Sequence, residues 1–419
     1  MIAYIDQLRR MRKIHRLTES SLNALQNRRL RAVIRNAYDH VPYYRNLFKS
    51  VGLSSDDIRT VDDLRKIPVT TKDDLKAAGV RDTVADWVDL SKCIRRTTHG
   101  TTGKHLDLYR TWKEQRTVLL LNLTAQMSVG YRPQDVLGVL GPELPFVPRF
   151  YHRIGLLRKD IIPLSLPVKV QIERLRKLQP TVIWAYPSAL RALIHRLEIP
   201  MRELVRPRII IHSAEVLDRV LRRRLAEDSD AECFNFYLAQ EFGLIAWECL
   251  THEGLHLNSD HSVLECLHDG TPATPGKTGS AVLTSLYANA MPFIRYEIGD
   301  LIAFLPKKCS CGCPLPLIDH PIGRQDDMVV LASGRTLAPM RFAYILEKFP
   351  SIDQWRVLQV RQDSFVLQLV LRDELTSEMS RTIRAEFLEY LGEPATLDIQ
   401  VTDFIEEEAY KFRSFVATY

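Results

Sequence analysis

Between residues 130 and 330 short apolar runs alternate with amphipathic stretches. The runs "DVLGVLG", "TVIWAYP", "PRIIIHS" and "AECFNFY" are apolar almost throughout, as strands covered on both faces are. Between them, "KVQIERLRKLQ", "ALRALIHRLE" and "EVLDRVLRRRLAED" repeat their apolar residues at helical spacing. Strands that alternate with helices predict a parallel sheet in an α/β arrangement. Upstream, residues 1–50 predict helices that end where Pro42 breaks the pattern, and Thr71 or Lys72 opens a short helix.

The pattern changes after "PIGRQDD". "WRVLQVRQ" and "SFVLQLVLRD" alternate as half-exposed strands. "SEMSRTIRAEFLEYLG" predicts a helix capped by Ser377 or Ser380 and stopped at Gly392, and "TLDIQVTDF" predicts another strand. This β-β-α-β unit predicts a separate, small C-terminal α+β domain, residues 326–419. A hinge at the polar segment Gln325–Asp327 joins it to a large N-terminal domain, residues 1–325, of mixed and parallel sheets with flanking helices.

A chain of 419 residues exceeds one small core, which agrees with two domains. Its net charge of +6 is mild and gathers in "LRRMRKIHRL" and "QNRRLRAVIR". Arginines interleaved with apolar residues read as a solvated helix face, with a membrane surface or polyanion as the alternative; no nucleic-acid partner is expected. No run approaches the ~20 apolar residues of a membrane span. The N-terminus has no signal-peptide block, so a cytoplasmic protein is expected. Seven cysteines are unevenly placed: Cys93, Cys233 and Cys266 stand alone, whereas Cys309, Cys311 and Cys313 crowd together. In a reducing compartment such crowding points to metal rather than disulfides.

The segment "RRTTHGTTGKHLDLYR" sets four threonines around Gly100 and Gly103 and adds Lys104. Glycines let backbone N–H groups approach an anion, hydroxyls add donors, and the lysine adds charge. Only two residues separate the glycines and His105 follows the lysine, so the Walker spacing fails.

The order "TTHGTTGK", "AYPSAL", "HSAEVL", "FYLAQEFG", "RYEIGDL", "GRQDD" and a near-terminal lysine in "YKFRSF" resembles the adenylate-forming ligase superfamily. Within it the likeness is to the phenylacetate–coenzyme A ligase branch and its relatives in capsule biosynthesis, whose "VPYYR" is matched at Val41–Arg45. The resemblance implies ATP-dependent activation of a carboxylic acid to an acyl-adenylate, with release of pyrophosphate and transfer to coenzyme A. Transfer to an amine, hydroxyl or carrier protein is the second reading. A non-catalytic nucleotide-binding homologue is the third, to which the departures Leu238, Gln240 and Tyr410 belong. The oligomeric state stays open, a dimer included.

By the same resemblance, Thr97, Thr98, Gly100, Thr101, Thr102, Gly103 and Lys104 hold the β- and γ-phosphates of ATP, Thr101 being counted with the catalytic residues. Glu241 supplies a carboxylate for Mg²⁺, a hard cation suited to oxygen ligands. Phe236 and Tyr237 lie near the adenine, with Ser213, Ala214 and Glu215 on the base side. Asp300, delivered by the turn glycine Gly299, accepts the ribose hydroxyls, and Arg324 reaches ribose or phosphate. Lys411 bridges the carboxylate and phosphate oxygens, a task suited to an ammonium point charge. Tyr131, Phe146, Tyr186, Pro187 and Ser188 occupy the acid region, where Phe146, Phe150 and Tyr151 either wall a flat acid or fill the core.

"ECLTHEGLH" and "KCSCGC" bring soft thiolates and imidazoles into one zinc-knuckle region, residues 249–313. Such donors favour tetrahedral Zn²⁺. Cys249, His256, Cys309 and Cys311 are the expected ligands of a structural site, with His252 and Cys313 as spares; some members of the resembled branch carry zinc at the corresponding places.

Overall fold

The computed structural model describes residues 9, 14, 17–98, 105–142, 152, 154–324, 328–405 and 412–419. The chain divides into two compact units, Met1–Gly130 with Phe236–Pro321, and Tyr131–Asn235 with Ile322–Tyr419. The expected hinge at Gln325–Asp327 lies outside the described residues.

In the first unit, Thr18 and Ser21 form a reciprocal capping box that opens the helix Glu19–His40. Pro42 does not end helical structure as expected. It takes the first position of a second helix, Pro42–Ser50, where its missing N–H has no partner to lose. Leu30, Val33, Ile34, Tyr44 and Phe48 pack against Leu286 and Ile294. Gln26 donates to the Ser259 carbonyl and Asn36 to the Asn289 carbonyl, both at 2.8 Å and 233 and 253 residues downstream. Thr71 caps the helix Lys72–Ala78 through a box with Asp74.

The strands of this unit form antiparallel ladders. Gly279–Ser285 pairs with Ser262–His268 on one side and Tyr296–Ile302 on the other. Gly243–Glu248 lies between Leu255–Leu257 and the end of Glu232–Ala239, the strand in which the chain passes from one unit to the other. Ile94–Thr97 and Asp107–Arg110 form a hairpin.

The second unit carries the expected parallel sheet, in the order Arg158–Pro163, Val136–Gly141, Val182–Ala185 and Ile209–Ser213. Helices Val168–Leu178 and Pro187–Arg196 connect its strands. The next helix begins at Arg219, not at Glu215. Asp218, whose carboxylate accepts from the Leu221 amide, is the cap that wins. In the C-terminal lobe Ile352–Arg361 and Ser364–Leu371 are antiparallel, and Thr396–Val401 lies parallel to the latter. A last strand, Phe415–Ala417, runs parallel to Ile352–Arg361 and had no signature in the sequence. The helix Ser377–Leu391 is capped by Thr376, one residue before the expected Ser377, because the Thr376 hydroxyl accepts from the Met379 amide. Gly392 ends it at φ 64°, as expected. Phe342, Trp355 and Phe387 build the core of this lobe, and Val220 joins it from the helix Arg219–Asp228. Among the described residues no helix is long and apolar enough to cross a membrane.

Candidate functional site

Gly100, Thr101, Thr102, Gly103 and Lys104 lie outside the described residues; Thr97 and Thr98 form the base of their loop. The Thr97 hydroxyl donates to Asp107 at 2.8 Å, and Asp107 also pairs with Arg95 at 2.7 Å. The Thr98 amide donates to the Leu106 carbonyl, and the Leu106 amide donates to the Thr98 hydroxyl, each at 3.0 Å. Both hydroxyls thus close the two arms of the hairpin on each other.

Glu241 sits in the turn of a hairpin, between Glu232–Ala239 and Gly243–Glu248. Gly243 makes this turn feasible. Its φ is +67°, and a Cβ there would stand 2.9 Å from Val118 of the helix Trp112–Ser128. Arg110 donates to the Gln240 carbonyl and the Tyr287 hydroxyl to the Phe242 carbonyl, so donors grip the turn on either side of Glu241. Glu241 is 8% exposed, and burial pushes the pKa of its carboxyl up. Lys72 and Arg110 work against that rise, and Asp300 adds to it. The Tyr296 hydroxyl stands 3.4 Å from Glu241 Oε1.

Asp300 lies in the strand Tyr296–Ile302, where Ile298, Gly299 and Asp300 together face only Ala281. Gly299, at φ 84°, therefore delivers Asp300 through a bulge inside a strand and not through a turn. The Tyr237 hydroxyl donates to Asp300 Oδ2 at 2.6 Å. Tyr237, Glu241 and Asp300 are thus neighbours, while Phe236 is fully buried in the core. Lys72 and Arg110 were missed. Lys72 reaches Glu241 because Thr70 bridges to Tyr296, its amide donating to the Arg295 carbonyl at 2.9 Å and its carbonyl accepting from the Glu297 amide at 2.9 Å.

In the second unit, Ser213 ends its strand and accepts from the Trp184 indole N–H at 2.8 Å. Ala214 follows at φ 72°, a left-handed conformation that non-glycine residues seldom adopt. Glu215 accepts from the Ser188 amide at 2.9 Å and from its hydroxyl at 2.8 Å, fixing the first turn of the helix Pro187–Arg196. Burial, with Glu215 adding to it, pushes the Tyr186 phenol up. Tyr131 is buried, and Arg324 lies half-buried in the short strand Gly323–Arg324. Phe146, Phe150, Tyr151 and Lys411 lie outside the described residues.

Cys249, His256, Cys309 and Cys311 converge, their ligand atoms all within 4.8 Å of one another. Ligands about 2.3 Å from a tetrahedral zinc stand about 3.8 Å apart. Cys249 Sγ and Cys309 Sγ are 3.6 Å apart, and Cys311 Sγ and His256 Nε2 3.3 Å, so the set fits such an ion. Thr251 Oγ1 lies 3.2 and 3.0 Å from the first two sulfurs, and the Cys313 amide donates to Cys311 Sγ at 3.4 Å. Burial pushes the Cys311 thiol up to about 12, which a bound cation would reverse. His252 is held by Glu248 at 2.9 Å.

No family model matches the chain. It is 30% identical over 380 residues to the phenylacetate–coenzyme A ligase of Escherichia coli (strain K12), covering 87% of this chain and 85% of that one. It is 27% identical over 401 residues to the phenylacetate–coenzyme A ligase of Aromatoleum evansii, covering 92% and 89%. Its fold matches a 2-hydroxyisobutyryl-CoA ligase in the postadenylation state, in complex with R3-HIB-AMP, at a TM-score of 0.80 and 18% identity over 96% of this chain and 90% of that one. By its motifs, its fold and these identities, the chain belongs to the phenylacetate–coenzyme A ligase family of adenylate-forming enzymes.

Proposed function

We propose that the chain joins a carboxylic acid to coenzyme A in two half-reactions, ATP first turning the acid into an acyl-adenylate. A carboxylate resists thiol attack because oxide would have to leave, whereas its mixed anhydride with AMP carries a good leaving group. The transition state spreads charge over phosphate oxygens, so the protein mainly positions and neutralises. In this reading Gly100, Thr101, Thr102, Gly103 and Lys104 cradle the outer phosphates, while Thr97 and Thr98 tie the arms of their hairpin. Glu241 takes Mg²⁺, whose charge offsets the burial of the carboxylate. Asp300, oriented by Tyr237, accepts the ribose hydroxyls. Ser213, Ala214, Glu215 and Arg324 complete the nucleotide site; Tyr131, Phe146, Tyr186, Pro187 and Ser188 form the acid site. Lys411 serves adenylation from a C-terminal domain, residues 326–419, that turns about Gln325–Asp327.

The observation that carries this reading is the meeting of Tyr237, Asp300 and buried Glu241. Cys249, His256, Cys309 and Cys311 we assign to a structural Zn²⁺, since four protein ligands leave no open position for water. The test is incubation with ATP, Mg²⁺ and a panel of acids beginning with phenylacetate. Acid-dependent pyrophosphate release is expected, followed by thioester formation when coenzyme A is added. No release with any acid would sink the ligase reading. Release without thioester would move the acceptor to an amine, hydroxyl or carrier protein.

A further inference from the structure

The helix Pro187–Arg196 starts at the proposed acid site, with Ser188 held by Glu215, and its later residues meet the C-terminal lobe. Arg191 is 7% exposed and pairs with Asp218 at 2.5 Å, while a second guanidinium nitrogen donates to the Asp353 carbonyl at 2.9 Å. The same guanidinium lies over the ring of Phe412, 5.4 Å from its centroid. Arg356, on the strand Ile352–Arg361, lies over that ring at 4.8 Å, and its Nε donates to the Arg413 carbonyl at 3.1 Å. One turn beyond Arg191, His195 stacks on Phe404 at 4.5 Å. Ile405 exchanges two hydrogen bonds with Gln354, at 3.0 and 3.2 Å. The chain is therefore fastened at Phe404–Ile405 and again at Phe412–Arg413.

Segments this near a terminus fray unless something ties them down. Here two guanidinium groups share one aromatic ring, an arrangement that gains from burial away from water. Asp218 balances the charge of one of them. Arginine suits the task because its planar head is preorganised for stacking and hydrogen bonding at once.

We propose that Phe412 is a positioning residue for adenylation. Clamped by Arg191 and Arg356, it sets the chain beside it in place and ties it, through the helix Pro187–Arg196, to the acid site. The inference rests on the reading of Lys411, the preceding residue in the sequence, as the cation of the first half-reaction.

The test compares full-length wild type with Phe412→Leu, Phe412→Tyr and Lys411→Ala. Amide hydrogen exchange over residues 412–419 needs no substrate; it is expected to quicken about tenfold in Phe412→Leu and to stay near wild type in Phe412→Tyr, which keeps the ring. With ATP, Mg²⁺ and phenylacetate as the probe acid, Phe412→Leu is expected to release pyrophosphate about tenfold more slowly at unchanged KM for ATP. The same variant should convert synthetic phenylacetyl-adenylate and coenzyme A to thioester at the wild-type rate, and Phe412→Tyr should recover the first step. Wild-type exchange and wild-type release in Phe412→Leu would overturn the proposal, as would equal slowing of both half-reactions. If Lys411→Ala leaves release intact, the lysine assignment fails by itself; if it abolishes release while Phe412→Leu does not, the lysine stands and the clamp falls. Where wild type releases no pyrophosphate with phenylacetate, the exchange comparison decides.

Discussion

The Tyr237 phenol donates to the Asp300 carboxylate at 2.6 Å, binding the hairpin strand to the bulged strand. A hydrogen bond to a charged group fixes the carboxylate, which we propose accepts the two hydroxyls of a ribose. Asp300→Ala is expected to weaken ATP binding by about 1.5–3 kcal/mol, and Tyr237→Phe by about 1 kcal/mol, with the fold of each intact. Calorimetric titration with ATP, beside circular dichroism, measures this. Wild-type affinity in folded Asp300→Ala would remove the residue from the site.

Glu241 predicts a conflict between stability and activity. Its carboxyl titrates above the ordinary glutamate range because it is buried. The unfolded chain loses that proton more readily, so the stability this group contributes is whole below the ordinary range and is lost as pH rises through the raised value. Without metal, Glu241→Gln should melt like wild type at pH 4 and roughly 1–3 °C higher at pH 8. The same variant should lose Mg²⁺-dependent pyrophosphate release. Equal melting at both pH values would show that the charge is not confined as described.

How far the sequence carried depends on whether a feature is local. The helix stop at Gly392 is written into a few consecutive residues, and the expectations for the Gly-Thr segment, Glu241 and Asp300 rest on equally short runs. The bulge that aims Asp300 depends on the register against Ser280–Val282, which no run of residues on one strand reveals. Lys72 and Arg110 come to Glu241 only through the Thr70–Tyr296 bridge and the hairpin arm. Thr376 and Ser377 both have hydroxyls able to cap, and the geometry of one amide chose between them. Phe415–Ala417 is three residues long, too short to show alternation.

For the cysteine–histidine centre, about one equivalent of zinc per chain is expected in protein purified without chelator. Because metal binding and folding are coupled, chelation should lower thermal stability before it lowers nucleotide chemistry. Cys309→Ser should reproduce the first effect. Elemental analysis finding less than about a tenth of an equivalent of any transition metal would end the assignment.

Lys411→Ala is expected to reduce acid-dependent pyrophosphate release by about 10²-fold or more, the scale of one preorganised electrostatic contact. Consumption of a synthetic acyl-adenylate should continue near the wild-type rate. Arg413, with a bulkier planar head, is not expected to substitute for the ammonium. Stopped-flow comparison of the two half-reactions separates these outcomes, and undiminished adenylation would show that another cation serves.

The first unit takes its two stretches of chain from either side of Tyr131–Asn235, the first stretch of the second: Met1–Gly130 is made first, Phe236–Pro321 much later. Helix Glu19–His40 finds the backbone of Ser259 and Asn289 only when the later stretch has been synthesised. At roughly 5–20 residues per second, Leu30, Val33 and Ile34 wait on the order of 10–50 s for Leu286 and Ile294, which complete their core. During that interval the apolar face of the helix is a target for chaperones and for neighbouring chains on the same message. A ribosome that stalls before residue 236 leaves a first unit with half its core unmade.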